Sequence, residues 1–122
     1  MTFQQSYTLA DRLAESHRIC AKFPDRIPII VERSKSSKSL PPIDKPKFLA
    51  PLDLTIGQFM LVIRKRLQLS SEQTLYLLVN DAVVVSASMC MRTVFAQYRH
   101  DDGFLYVTYA IENTFGSNRA PD

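Results

Sequence analysis

The stretch DLTIGQFMLVIRKRLQL, residues 53–69, has one stable option in water, an amphipathic helix. Thr55 and Gln58 stand at the spacing at which an N-cap hydroxyl and a reciprocating side chain close a capping box. Behind them Ile56, Phe59, Met60, Ile63 and Leu67 recur at helical spacing and gather the apolar groups on one face. Arg64, Lys65 and Arg66 come late, where cations meet the negative end of the helix dipole. A helix that is apolar on one side needs a flat apolar partner. The flanking segments supply it: KFLAPL before the helix, stopped by Pro51, and TLYLLV after it, both with strand character.

The remaining segments fit around this unit. SYTLADRLAESHRICAKFP reads as a helix that Pro24 ends, with Thr8 and Asp11 resembling a capping box. Leu9, Leu13, His17 and Cys20 make its stripe, with Ile19 beside it. RIPIIVER reads as a strand with Ile27, Ile29 and Val31 on one face and Pro28 and Ile30 on the other. A proline inside a strand points to an edge or an irregular position. SKSSKSLPP is a polar loop. An Asn80-Asp81 turn leads into VVV, SASMCMRTVFAQY reads as a short helix, and FLYVTYAIE as a long last strand. The order is helix, strand, strand, helix, strand, helix, strand. The expected fold is α+β, with the element order of a ubiquitin-like β-grasp and a mixed four-stranded sheet.

The chain's 122 residues are enough for one domain, and 46% of them are hydrophobic, so a core can be buried. A net charge of +3 does not by itself call for nucleic acid. Cys20 and Cys90, far apart, read as free thiols of a reducing compartment. No apolar stretch reaches about 18 residues and no signal peptide is evident, so a cytoplasmic protein is expected. His17-x-x-Cys20 is too little for a metal site, no acid orients a histidine beside either cysteine, and three glycines make no phosphate loop. Nothing argues for an enzyme. Apolar residues remain to be placed, however: Pro28 and Ile30 lie on the second face of their strand, and one of Phe48 and Leu49 turns away from the core. Either the N-terminal helix covers them, or they line a groove for a partner's strand.

Three stretches carry a resemblance: FPDRIPIIVER, IDKPKFLAPLDLTIGQFMLVIRKRLQLSSEQTLYLLVND and DDGFLYVTYAIENTFG. From about Tyr7 to Gly116 the chain resembles the autophagy ubiquitin-like modifiers, the family that includes GABARAP. The resemblance implies a β-grasp core over residues 25–113, an N-terminal helical extension over 1–24 and a flexible tail over 114–122. It implies that a processing cysteine protease cuts between Gly116 and Ser117. An activating enzyme then adenylates the freed carboxylate with ATP and takes it as a thioester. A conjugating enzyme passes it to the amine of phosphatidylethanolamine on the autophagosome membrane. The protein would thus be a substrate with no cofactor, monomeric, cytoplasmic, and membrane-bound through covalent lipid once conjugated. Glycine suits that junction, because without a Cβ the backbone threads a narrow channel and leaves the acyl carbon unhindered. Phe115 offers the enzymes an aromatic anchor.

The resemblance also implies receptor peptides of the form aromatic-x-x-aliphatic, flanked by acids, that add a strand to the second strand of the sheet. By position, the aromatic pocket would be Glu15, Ile19, Pro28, Ile30, Lys47, Leu49 and Phe104. The aliphatic pocket would be Phe48, Ala50, Pro51, Leu54, Phe59, Val62 and Ile63. Arg26, Lys45 and Arg66 would meet the acids. Phe48 stands where the family often has Tyr, and Ala50 where a larger Val or Leu is usual, which should widen the aliphatic pocket. NDAVVV replaces a stretch that normally holds two prolines. Two other readings stay open: an adaptor with the same groove whose tail is never cut, and a basic domain that binds nucleic acid or anionic lipid through Lys65 and its neighbours.

Overall fold

A computed structural model of the chain describes residues 1–37 and 40–113. Two helices open it, α1 (Phe3–Ser6) and α2 (Leu9–Lys22). They are followed by β1 (Arg26–Arg33), β2 (Lys47–Pro51), α3 (Ile56–Leu67), β3 (Gln73–Val79), β4 (Val83–Val84), α4 (Met91–Tyr98) and β5 (Leu105–Asn113). The sheet order is β2-β1-β5-β3-β4. The neighbouring strands β1 and β5 run parallel, and the other pairs are antiparallel.

The sheet has five strands where the sequence reading expects four. The fifth is the two-residue β4, which pairs Val83 and Val84 with Val79 and Leu78. Asn80 and Asp81 both take φ near 55°, the left-handed conformation of a tight hairpin turn, and fold the Val run back onto β3. A second difference is Pro28, which lies in an interior strand. The ladder to β5 starts at Ile29↔Leu105, one residue beyond it, so its missing N–H interrupts no bond there.

Helix α3 forms as its caps require: Thr55 and Gln58 exchange both capping-box bonds, and Gln68 closes the helix in the left-handed conformation. Its Ile56, Phe59 and Ile63 are buried against Ile27, Ile29 and Val31 of β1 and Leu105, Val107 and Tyr109 of β5. Met91 and Val94 of α4 complete this layer. The other face of the sheet carries a smaller cluster, in which Phe3 of α1 and Ile19 of α2 bury Ile30, Phe104 and Tyr106. Helix α1 begins with its own capping box, Thr2 with Gln5, and seats Phe3 edge-on to Phe104 at 5.3 Å.

Helix α2 is turned relative to the expected stripe. Its buried residues are Ser16 and Ile19, whereas Leu9 is 48% exposed and His17 and Cys20 face solvent. Polar anchors set this rotation. Arg12 Nη1 donates to Asp102 Oδ2 at 2.6 Å, and Ser16 Oγ donates to the Asp102 carbonyl. Both reach the turn before β5, which is closed by Gly103 N–H donating to the His100 carbonyl at 2.9 Å. Gly103 has φ +91°, and a Cβ there would overlap Ser16 Oγ. Gly103→Ala therefore costs about 2 kcal/mol, the range for strained left-handed positions. A lower urea midpoint at unchanged slope is the measurement that checks it.

Candidate functional site

Strand β2 is an edge strand, paired on one side with β1. Val31 N–H donates to the Pro46 carbonyl at 2.8 Å, which sets the phase of the ladder. Hydrogen-bonded and non-bonded pairs alternate in antiparallel strands. With Ile29↔Phe48 and Ile27↔Ala50 in register, Phe48 and Ala50 turn their backbone groups toward β1. Lys47 and Leu49 turn theirs outward. The outer side of β2 thus presents N–H and C=O groups to which another extended chain can bond.

The two faces of this edge differ. On one, Lys47 and Leu49 stand beside Ile30 and Pro28 of β1. Ile19, Ile30 and Phe104 form the buried floor there, Pro28 is buried, and Leu49 is 37% exposed. Lys47 Nζ reaches Glu15 Oε2 on α2 at 3.0 Å and straps the helix to the strand. The bonds from Lys47 and Arg18 hold the Glu15 carboxyl below its ordinary range. Beside this strap opens a cavity of about 280 Å³, lined by Phe3, Tyr7, Asp11, Arg12, Glu15 and Lys47. Of these only Glu15 and Lys47 belong to the expected aromatic pocket. The other four come with α1 and the start of α2. Their signal in the sequence was the Thr2-x-x-Gln5 box that places Phe3.

On the opposite face, Ala50, Phe59 and Ile63 are buried in the main core, and Phe48 and Leu54 are half-buried against it. Phe48 meets Phe59 edge-on at 5.5 Å, and the Arg66 guanidinium lies over the Phe48 ring at 4.9 Å. Val62 is 38% exposed and Pro51 is exposed, so these two form the rim of this set. Arg26 stands at the start of β1 and donates to the Leu49 carbonyl at 3.3 Å, while Lys45 is exposed just ahead of β2. Two larger hollows, of about 520 and 640 Å³, share Thr2, Gln5, Glu32, Arg33 and Lys35 and include none of the expected site residues.

The family pattern described as "Autophagy protein Atg8 ubiquitin like" matches residues 11–116 of this chain. The chain belongs to the Atg8 family. Among Atg8 proteins it is 50% identical to Autophagy-related protein 8 of Pichia angusta over 114 residues, 93% of this chain and 90% of that one. It is 46% identical to Autophagy-related protein 8a of Arabidopsis thaliana over 116 residues, 95% of this chain and 93% of that one. The crystal structure of Trypanosoma brucei ATG8 superposes with a TM-score of 0.86 at 40% identity, covering 95% of this chain and 98% of that chain. The fold is therefore the ubiquitin-like fold of the Atg8 autophagy proteins. In this Atg8 chain the expected processing residues Phe115, Gly116 and Ser117 lie outside the described residues. No described helix is long and apolar enough to cross a membrane.

Proposed function

We propose that the chain is an autophagy modifier conjugated through Gly116 to phosphatidylethanolamine, and that the edge of β2 docks receptor peptides. The observation that carries the docking is the outward-facing backbone of Lys47 and Leu49, flanked by one apolar cluster on each face of the strand. An aromatic-x-x-aliphatic motif fits such an edge for a geometric reason. In an extended chain, residues three apart point to opposite faces and stand about 10 Å apart. The aromatic anchor then meets Leu49 above the buried floor of Ile19, Pro28, Ile30 and Phe104, with the Glu15–Lys47 strap beside it. The aliphatic anchor meets Phe48 and Leu54 between the rims of Pro51 and Val62, above the buried Ala50, Phe59 and Ile63. Arg26, Lys45 and Arg66 supply positive charge for the acids that flank the motif.

Conjugation supplies a hold on the membrane. Cleavage hydrolyses the Gly116–Ser117 bond, adenylation activates the new carboxylate, and thioester transfer keeps it activated. The lipid amine attacks the acyl carbon and the enzyme thiol leaves. Two acyl chains meet the requirement for stable anchoring, at about 0.8 kcal/mol per buried methylene. The basic Arg64-Lys65-Arg66 run gives little support to a nucleic-acid reading, because Arg64 is held by the carbonyls of Gln73 and Ser70 at 2.7 and 2.8 Å.

Two measurements test the reading. Titrating the labelled protein with an aromatic-x-x-aliphatic peptide should move the Lys47 and Leu49 amide resonances most. Leu49→Asp should weaken binding at least about tenfold, by placing a charge where an anchor is buried. The intact mass of protein from its own cells should include a form that ends at Gly116, without the residues from Ser117 to Asp122. A mass ending at Asp122 in every condition, with peptide docking intact, would leave the unconjugated adaptor.

A further inference from the structure

The docking edge is not bare. Arg26 Nη1 donates to the carbonyl of Leu49, the middle residue of β2. The ladder phase turns that carbonyl outward, so it is the acceptor that the backbone N–H of an added strand needs. A guanidinium on that oxygen competes with the N–H of an incoming chain. The other two cations placed by contacts at this edge are engaged differently: Lys47 is paired with a carboxylate, Glu15, and Arg66 lies on the Phe48 ring. Among the described residues no carboxylate lies within ion-pair distance of Arg26, and its side chain bonds a neutral carbonyl.

We infer that Arg26 is a latch on the docking edge, closed on the Leu49 carbonyl and opened by an acidic side chain of the ligand. The inference rests on the peptide-docking reading above and adds to it a rule of selection. A carboxylate is a stronger partner for a guanidinium than a neutral carbonyl, since it brings an opposite full charge and two oxygens that the planar guanidinium can bond side by side. An acid flanking the aromatic anchor draws Arg26 off, and the freed Leu49 carbonyl accepts the ligand's N–H. A ligand without that acid must also break the Arg26 bond, and it offers the displaced guanidinium no partner but water. Arg26 therefore acts in two ways: it attracts acidic peptides, and it obstructs neutral ones that would otherwise fill the same two pockets. If it were a plain surface cation, it would do only the first.

The opposite signs separate the two roles. Two end-blocked peptides are compared, identical in their aromatic-x-x-aliphatic anchors, one with flanking Glu and Asp and the other with Gln and Asn in their place. Each is titrated into the wild-type protein and into Arg26→Ala, whose exposed site leaves the fold untouched. The acidic peptide should bind Arg26→Ala about tenfold more weakly, and the neutral peptide about threefold more tightly, the range of a net hydrogen bond. In the free protein, Arg26→Ala should also shift the carbonyl carbon resonance of Leu49. A neutral peptide that binds Arg26→Ala no more tightly than wild type overturns the latch and leaves the docking reading standing. Failure of both peptides to bind wild type, with Lys47 and Leu49 resonances unmoved, overturns both.

Discussion

Asp102→Ala lowers the unfolding free energy by about 3 kcal/mol, the lower end of what breaking a buried pair from one side costs. The Asp102 side chain is fully buried, and its partner Arg12 is 11% exposed. Its carboxylate accepts from Arg12 Nη1 at 2.6 Å, the Tyr106 hydroxyl at 2.6 Å and the Phe104 N–H at 2.9 Å. Removing it strands three donors at once, two of them in the cluster that docks α1 and α2 on the sheet. Asp102→Asn keeps an acceptor for one donor and costs less. Urea unfolding monitored on both variants checks the order: wild type, then Asn, then Ala. Equal midpoints for wild type and Asp102→Ala would remove this carboxylate from the account of how α2 is held.

The same group makes a pH prediction. Burial alone would raise the Asp102 carboxyl; the bonds from Tyr106, the Phe104 amide and Arg12 outweigh it and hold the group below its ordinary value of 3.8. A depressed carboxyl contributes its stability above the unfolded value and loses it as pH falls through the native one. Wild type should therefore lose stability more steeply than Asp102→Asn as pH falls below about 4, with the two curves parallel nearer neutrality. Tyr106, buried and facing this carboxylate, is pushed upward and stays neutral throughout.

Gly116→Ala leaves thermal unfolding unchanged and reduces lipid attachment about 100-fold or more, the scale on which misplacing a reacting group slows a reaction. Alanine adds a Cβ next to the acyl carbon. That restricts the backbone and crowds the successive attacks on one carbon: by the protease thiol, by the thiols that carry the thioester and by the lipid amine. Membrane fractionation of cells carrying the variant checks this, alongside a reconstituted reaction with phosphatidylethanolamine vesicles. A variant that still co-sediments with membranes would mean that another surface holds it there, and the conjugation reading would fall. Peptide docking should be unaffected, because the β2 edge belongs to the body of the domain.

Much of the architecture was legible because it is local. The capping box of α3, the alternation in β1 and the Asn80-Asp81 turn act over a few residues, and each formed where its spacing placed it. The misreadings were at positions settled by distant contacts. Pro28 suggested an edge or an irregular position, yet β1 lies between β2 and β5, and the proline fits there because the parallel ladder begins one residue beyond it. The apolar line on α2 pointed to one rotation, and a bond between Arg12 and Asp102, 90 residues apart, imposed another. The two-residue β4 is too short to carry a pattern of its own. At the candidate site, the pocket positions followed from the resemblance, whereas the Glu15–Lys47 strap, the cation on Phe48 and the Arg26 bond to Leu49 required three dimensions.

By itself the sequence determined the family and the helix-on-sheet plan, since each is written in residues close together along the chain. Only the tertiary structure decided which side of α2 is buried, which strand lies open at the edge and which cation rests on its outward carbonyl. Those depend on partners far apart in sequence, brought together when the sheet closes, and no local propensity specifies them.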